Sequence, residues 1–291
     1  MGSETTTTRV WLITGCSSGF GRLLAEELLR RGERVVATAR DRAKVADLEK
    51  AHPEQALALS LDVTKKEQID SSVAIALKKF GRIDVLVNNA GFGVAGAVEE
   101  VAEDEYMPMF EVNVFGLIQM TKAVVPLLRK QRSGHVLNVS SIGGLCALPG
   151  VTYYNTTKFA VEGFSEGLAQ EMAPFGVHVT AIEPGPFRTD FLGRSKTVAK
   201  EHITEYAESA GKTRTYFETQ SGSQPGDPQK AVEAMIAVVD APNPPRNLVL
   251  GREALSRIRR KLTDWDQTLT EWEAVTEGAD FPVEAPEEGK S

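Results

Sequence analysis

VWLITGCSSGFGRLLAEELLRR, Val10 to Arg31, is the stretch whose reading decides the fold. Four apolar residues, Val10 to Ile13, lead into Thr14-Gly15-Cys16-Ser17-Ser18-Gly19-Phe20-Gly21, and the helical pattern Arg22 to Arg31 follows directly. Strand, glycine loop and helix in that order make a phosphate site. Gly15 permits the tight turn, the missing side chains let a pyrophosphate approach the backbone, and the helix start turns its free amides toward negative charge. The spacing is G-x-x-x-G-x-G, not the commoner dinucleotide G-x-G-x-x-G.

Outward from this unit, strand-length apolar runs recur at Arg34–Thr38, Ala56–Leu61, Ile83–Asn88, His135–Ser140, Val177–Glu183 and Asn247–Leu250, with helical patterns between them. Runs apolar on consecutive positions, such as VLVNN and VLNVSS, predict strands covered on both faces and so a parallel sheet. With Val10–Thr14 they make a seven-stranded, doubly wound α/β fold. Its ligands belong at the carboxyl ends of the strands, where Gly15, Asn88 and Ser141 fall.

A second stretch carries the chemistry: SSIGGLCALPGVTYYNTTK, Ser140 to Lys158. Tyr154 and Lys158 are four apart and share one face of a helix, and Ser141 reaches the same place from a strand end. An ammonium beside a phenol favours the phenolate, so Lys158 is expected to bring Tyr154 down from its ordinary pKa of about 10. Together these residues suit proton exchange with a carbonyl or carbinol oxygen.

The motifs resemble those of the single-domain branch of the short-chain dehydrogenase/reductase superfamily. The family's T-G-x-x-x-G-x-G is met by Thr14 to Gly21, its N-N-A-G by Asn88 to Gly91, its serine by Ser141, its Y-x-x-x-K by Tyr154 and Lys158, and its P-G-x-x-x-T by Pro184, Gly185 and Thr189. Thr156 and Thr157 stand where the family often has alanine and serine. The resemblance implies one Rossmann-type catalytic domain over 9–251, after a polar leader at 1–8 and before a helical and acidic extension at 252–291. It implies a nicotinamide cofactor on Gly15, Ser17, Ser18, Gly19, Phe20 and Gly21, on Asp62 and Val63 at the adenine, and on Asn88, Ala90 and Gly91 along the ribose, with Asn89 tying the sheet. Tyr154, Lys158, Pro184, Gly185 and Thr189 would take the nicotinamide end. Ser141, Tyr154 and Lys158 would be catalytic, and Asn113 would continue a proton relay through a water on its backbone carbonyl.

After the second strand the sequence is Thr38-Ala39-Arg40, with no acid for ribose hydroxyls and a guanidinium suited to phosphate. This points to NADP, with NAD as the alternative if Arg40 is merely solvated. Phe92, Val94, Leu145, Cys146, Tyr153 and Phe191 flank the motifs and, with Ser141 and Tyr154, suggest an apolar pocket for a bulky ketone. Competing readings are an NAD-preferring oxidation of a hydroxysteroid- or retinol-like alcohol, and a non-catalytic cofactor sensor or scaffold. The polar segment 190–227 is expected to be a substrate lid, with Tyr206, Tyr216 and Phe217 available to close over substrate.

Composition narrows the partners. Apolar residues at 42% and charged residues at 25% suit a globular core, and a net charge of −7 argues against nucleic acid. No apolar run approaches the roughly 18 residues of a spanning helix. Two cysteines, Cys16 and Cys146, suggest a reducing cytoplasm, and the four histidines have no metal-ligand spacing. In the extension, Leu255, Ile258, Leu262, Trp265, Leu269, Trp272 and Val275 recur at three- and four-residue steps, an amphipathic helix whose polar face turns from basic to acidic. It could dock on its own domain, cover the cleft, or pair within a homo-oligomer, a dimer or a tetramer.

Overall fold

A computed structural model describes residues 8–190, 196–220 and 222–281. In chain order the elements are β1 (Val10–Ile13), α1 (Gly19–Arg30), β2 (Arg34–Ala39), α2 (Ala46–Ala51), β3 (Ala56–Ser60), α3 (Lys66–Phe80), β4 (Val85–Asn88), β5 (Gly93–Ala95), α4 (Glu103–Phe110), α5 (Leu117–Gln131), β6 (Gly134–Val139), α6 (Thr152–Met172), β7 (Val177–Pro184), β8 (Lys196–Val198), α7 (Lys212–Thr219), α8 (Pro228–Asp240), β9 (Asn247–Leu250) and α9 (Arg252–Glu277).

Seven strands form one parallel sheet in the order β3-β2-β1-β4-β6-β7-β9, the expected doubly wound architecture. Strand order reverses between β1 and β4, whose register sets Leu12 against Leu86. Side chains of successive strand residues leave opposite faces. Trp11 and Ile13 pack with Leu24, Leu28, Met235 and Ile236 on one side. Val10 and Leu12 pack with Ile69, Met120, Val124 and Leu128 on the other. Each such side chain contributes about 1.5–3 kcal/mol on burial, so a sheet covered twice holds its strand ends rigid.

The continuous helix Glu103–Gln131 has the length and composition to cross a bilayer, a property the search for apolar runs did not find. Its Met109, Leu117, Met120, Val124 and Leu128 are buried, as in a core helix. The helix is α-helical at both ends and π-helical over Glu111–Gly116. Segment 190–227 is not a plain loop: β8 pairs in parallel with β5, Gly93 against Lys196, and α7 follows.

Candidate active site

The strand ends open into one cleft of about 1590 Å³, lined from Arg40 and Asp62 at one end to Lys196 and Tyr216 at the other. After β1 the chain turns left-handed at Gly15 (φ +73°) and Gly19 (φ +58°). A Cβ on Gly15 would stand 2.9 Å from the Ala90 Cα, and one on Gly21 2.6 Å from the Gly15 carbonyl oxygen, so neither position admits a side chain. Ser18, the residue before α1, makes no side-chain cap, leaving the first amides of α1 unbonded by it. Gly15, Ser17, Ser18, Gly19 and Phe20 line the cleft, and Gly21 packs behind it. This cradle fits a pyrophosphate.

Beyond β2, Ala39 is buried and Arg40 is exposed on the cleft rim. Its basic neighbours are occupied: Arg22 pairs with Glu26 and Asp47, and Arg42 with Glu49. Asp41 accepts from the Ala43 amide at 2.9 Å. Among the described residues Arg40 forms no ion pair. Asp62 and Val63 line the cleft. Asp62 Oδ1 also accepts from the Thr64 amide (3.0 Å) and hydroxyl (2.8 Å), which fixes that turn.

The two asparagines of the N-N-A-G motif exchange their expected places. Asn88 is buried and ties the sheet, donating through Nδ2 to Thr121 Oγ1 and Asn138 Oδ1, each at 2.9 Å. Asn89 is on the cleft wall, and its Nδ2 donates to the carbonyls of Thr14 (2.8 Å) and Gly15 (3.0 Å). Ala90 and Gly91 line the cleft as expected.

Ser141 follows β6, where its hydroxyl accepts from the Gly143 amide at 3.0 Å. Tyr154 lies in the first turn of α6 and hydrogen-bonds the Ser141 side chain. One turn on, Lys158 is only 6% exposed, and its Nζ donates to the Val139 carbonyl at 2.8 Å and lies 5.7 Å from the Tyr154 ring centre. Burial pushes the Tyr154 phenol up to about 12, and the Ser141 bond opposes this in part. Burial pushes Lys158 down to about 8, opposed by Glu162. The expected lowering by Lys158 does not show in this arrangement: the ammonium sits on a strand carbonyl beside the ring, and burial is the larger influence on the phenol.

Asn113 lies in the π-helical turn, buried, and does not line the cleft. Its side chain accepts from the Phe92 amide (3.0 Å) and donates to the Phe92 carbonyl (2.8 Å) and Thr157 Oγ1 (3.2 Å), fixing the strand beside Lys158. Behind the lysine, Glu162 and Glu183 meet, and Asn247 Nδ2 donates to Glu183 Oε1 at 2.6 Å. Burial raises both carboxyls. Glu162 Oε1, Glu183 Oε2 and the Ser140 hydroxyl are buried together behind the lysine.

On the substrate side Phe92 and Val94 line the cleft, and so do Pro184, Gly185 and Thr189. Leu145, Cys146 and Tyr153 do not. Tyr153, one residue from Tyr154 and so on another face of α6, stacks on Tyr106 at 4.3 Å and donates to the Val98 carbonyl. The Leu145 carbonyl accepts from Lys261, and burial raises the Cys146 thiol. Phe191 lies outside the described residues. The wall also includes Met107, Leu148, Asn155, Phe187, Tyr216, Phe217 and Arg257. Tyr216 and Phe217 had been picked out by position, whereas the others carry no local signal. Tyr206 instead anchors its segment through Glu99 at 3.0 Å.

Known proteins resemble this chain over most of its length. The short chain dehydrogenase family model matches residues 9–199. The oxidoreductase BOA17 of Botryotinia fuckeliana is 40% identical over 250 residues, 85% of this chain and 90% of that protein. The 3-ketodihydrosphingosine reductase of Bacteroides thetaiotaomicron is 36% identical over 244 residues, 84% of this chain and 88% of that protein. The crystal structure of a short-chain dehydrogenase from Streptomyces avermitilis superposes with a TM-score of 0.88 at 44% identity, covering 94% of this chain and all of that one.

Proposed function

The chain belongs to the short-chain dehydrogenase family and is an NAD(P)-dependent oxidoreductase, and from that premise we propose that it uses NADPH to reduce a bulky hydrophobic ketone to a secondary alcohol. The observation that carries the reading is the cluster at the strand ends, Tyr154 bonded to the Ser141 side chain with Lys158 one turn on, in a cleft with room beside it for an apolar substrate. A phenol so placed can give its proton to a carbonyl oxygen. The cofactor, when bound, supplies the hydride. In this reading the Ser141 hydroxyl holds the substrate oxygen, Tyr154 donates its proton to that oxygen, and Lys158 holds ribose hydroxyls and returns a proton toward the tyrosine. Asn113 positions the strand at Phe92, and its turn supplies the relay water.

The glycine cradle would hold the pyrophosphate, Asp62 and Val63 the adenine, Ala90 and Gly91 the ribose, and Thr189 the carboxamide. Arg40, exposed and without an ion pair among the described residues, is the guanidinium for a ribose phosphate. Size and lining speak for a large apolar substrate. The cleft exceeds the roughly 300–1,000 Å³ of a single small-ligand pocket, leaving room beyond the cofactor beside Phe92, Val94, Leu148 and Tyr216. A relative named for a long-chain ketone substrate supports the same class. Segment 190–227 serves as the lid on this half.

The test is an initial-rate comparison of NADPH and NADH with long-chain, steroidal and small polar ketones and with the matching alcohols. Turnover of an apolar ketone with NADPH preference is expected. Preference for NADH with alcohols would replace this reading by alcohol oxidation, and cofactor binding with no turnover of any compound would leave a sensor.

A further inference from the structure

Among the described residues, the long helix α9 meets the domain through its first three turns. Ala254 is fully buried, and Lys261 donates to the Leu145 carbonyl with its ammonium 5.0 Å from the Phe159 ring centre. From Leu262 to Phe281 every residue is exposed. Residues 262–277 therefore carry about 24 Å of helix, at ~1.5 Å per residue, away from the body. Leu262, Trp265, Leu269 and Trp272 are 55–59% exposed along one line of it.

Such a helix is poorly supported by its own chain. Among its sixteen residues, four threonines, two tryptophans and a valine are weak helix formers, and a lone helix of this length is marginal in water. Apart from Glu253 in the first turn, the charges run against the helix dipole: Arg252, Arg257, Arg259, Arg260 and Lys261 precede Asp264, Asp266, Glu271, Glu273 and Glu277. A partner along the exposed face would compensate.

The spacing identifies it. Leu255, Leu262 and Leu269 occupy one position of a heptad, Ile258, Trp265 and Trp272 the other seam position, and Arg252, Arg259, Asp266 and Glu273 a single flanking position seven residues apart. We propose that α9 pairs antiparallel with α9 of a second copy of this chain, Leu262 meeting Trp265 of the partner subunit, Ile258 meeting Leu269 of the partner subunit, and Leu255 meeting Trp272 of the partner subunit. In this register Arg259 faces Asp266 of the partner subunit and Arg252 faces Glu273 of the partner subunit. Two-fold symmetry repeats each pair, and all four charges of that flanking position meet their opposites. Among the described residues none of these four side chains has an ion pair within its own chain. A parallel pair would offer only Lys261 for Asp266, and Lys261 is already engaged. A lipid surface is less suited, because acidic residues flank both tryptophans and anionic headgroups would repel them.

The test uses the full chain in sedimentation velocity and light scattering at micromolar concentration. Two half-swapped chains are made, Arg252→Glu with Arg259→Glu, and Asp266→Arg with Glu273→Arg. Each alone should halve the assembly mass, while the fourfold variant and an equimolar mixture of the two half-swapped chains should restore it. Leu262→Lys with Trp265→Lys should halve it without recovery. These side chains are solvent-exposed, so nicotinamide binding should be retained and serves as the folding control. A monomeric wild type, or half-swapped chains of unchanged mass, would overturn the proposal. So would a monomer that floats with neutral phosphatidylcholine vesicles, which would make α9 a lipid-facing helix.

Discussion

Where β1, β2 and β4 end, the cleft wall is largely backbone and glycine, set by the hydrogen bonds of a sheet covered on both faces. Where the chain runs from Lys196 to Gln220, the wall is side chain, carried on short helical pieces and on a strand of three residues. A buried carboxylate ties that second wall to the body, beside the β5–β8 pairing and the Tyr206–Glu99 bond. Glu100, 2% exposed, accepts from the amides of Ala97 (2.7 Å) and Ile203 (2.8 Å) and pairs with Arg214 at 2.8 Å. Burial raises the Glu100 carboxyl, but the two amides and the guanidinium together bring it below its ordinary value. One half of the cleft is thus fixed by the sheet itself, and the other by a short strand pair and side-chain anchors, of which the Glu100 knot is the buried one.

The sharpest cut through this comparison removes the chemistry and leaves both walls. Tyr154→Phe should lower turnover by about 10²- to 10⁴-fold, the usual worth of a positioned acid, with cofactor binding unchanged. Retained turnover would remove Tyr154 from the mechanism. Next in size is the knot. Arg214→Ala strands a buried carboxylate and should cost about 3–5 kcal/mol locally, seen as protease cleavage between residues 196 and 220 and a raised KM for ketone. Arg214→Met, which keeps the packing, should behave similarly. An equal loss of cofactor affinity would show that the two halves are not separate.

Arg40→Asp acts at the opposite end of the cleft. Losing a charge-assisted bond of about 1.5–3 kcal/mol should weaken NADPH by roughly ten- to a hundredfold and leave NADH nearly untouched. Equal effects on both would take Arg40 out of the specificity argument. The smallest effect is on stability against pH. Glu183 ionises at about 8 when folded, against an ordinary 4.5, so the native state holds a proton that the unfolded chain releases. Its contribution is full below the ordinary carboxylate range and is lost as pH rises toward 8. Melting temperature should therefore fall over that window in the wild type and fall less in Glu183→Gln; parallel curves would remove the carboxyl pair as the cause.

The same division governs what the sequence disclosed. Gly15 and Gly19 were legible because a left-handed turn and a close approach leave one residue type, and motif order placed Ser141, Tyr154 and Lys158. Side-chain direction was less accessible. Asn88 and Asn89 are adjacent at a strand end and leave opposite faces, so a motif that names both cannot say which turns to the cleft. Tyr153 invites the same confusion beside Tyr154 on a helix. The direction of the Tyr154 shift depends on how deeply the fold buries the phenol, a tertiary fact. β5 and β8, of three residues each, are too short for periodicity to register.

The parallel pairing of β7 with β9, Pro184 beside Leu250, has a consequence in time. The edge of the sheet cannot close until the chain beyond 247 has been made, because a parallel neighbour must return by a long crossover. During synthesis the cradle around Gly15 can form early, while Ala181 and Ile182 await the last strand and α9 emerges after it. Refolding followed by pulsed hydrogen exchange should protect β1 and β4 amides before those of β9; simultaneous protection would show that the sheet closes as a unit. Copies of the chain would then meet through their carboxyl-terminal helices as the final event, after each body is already complete.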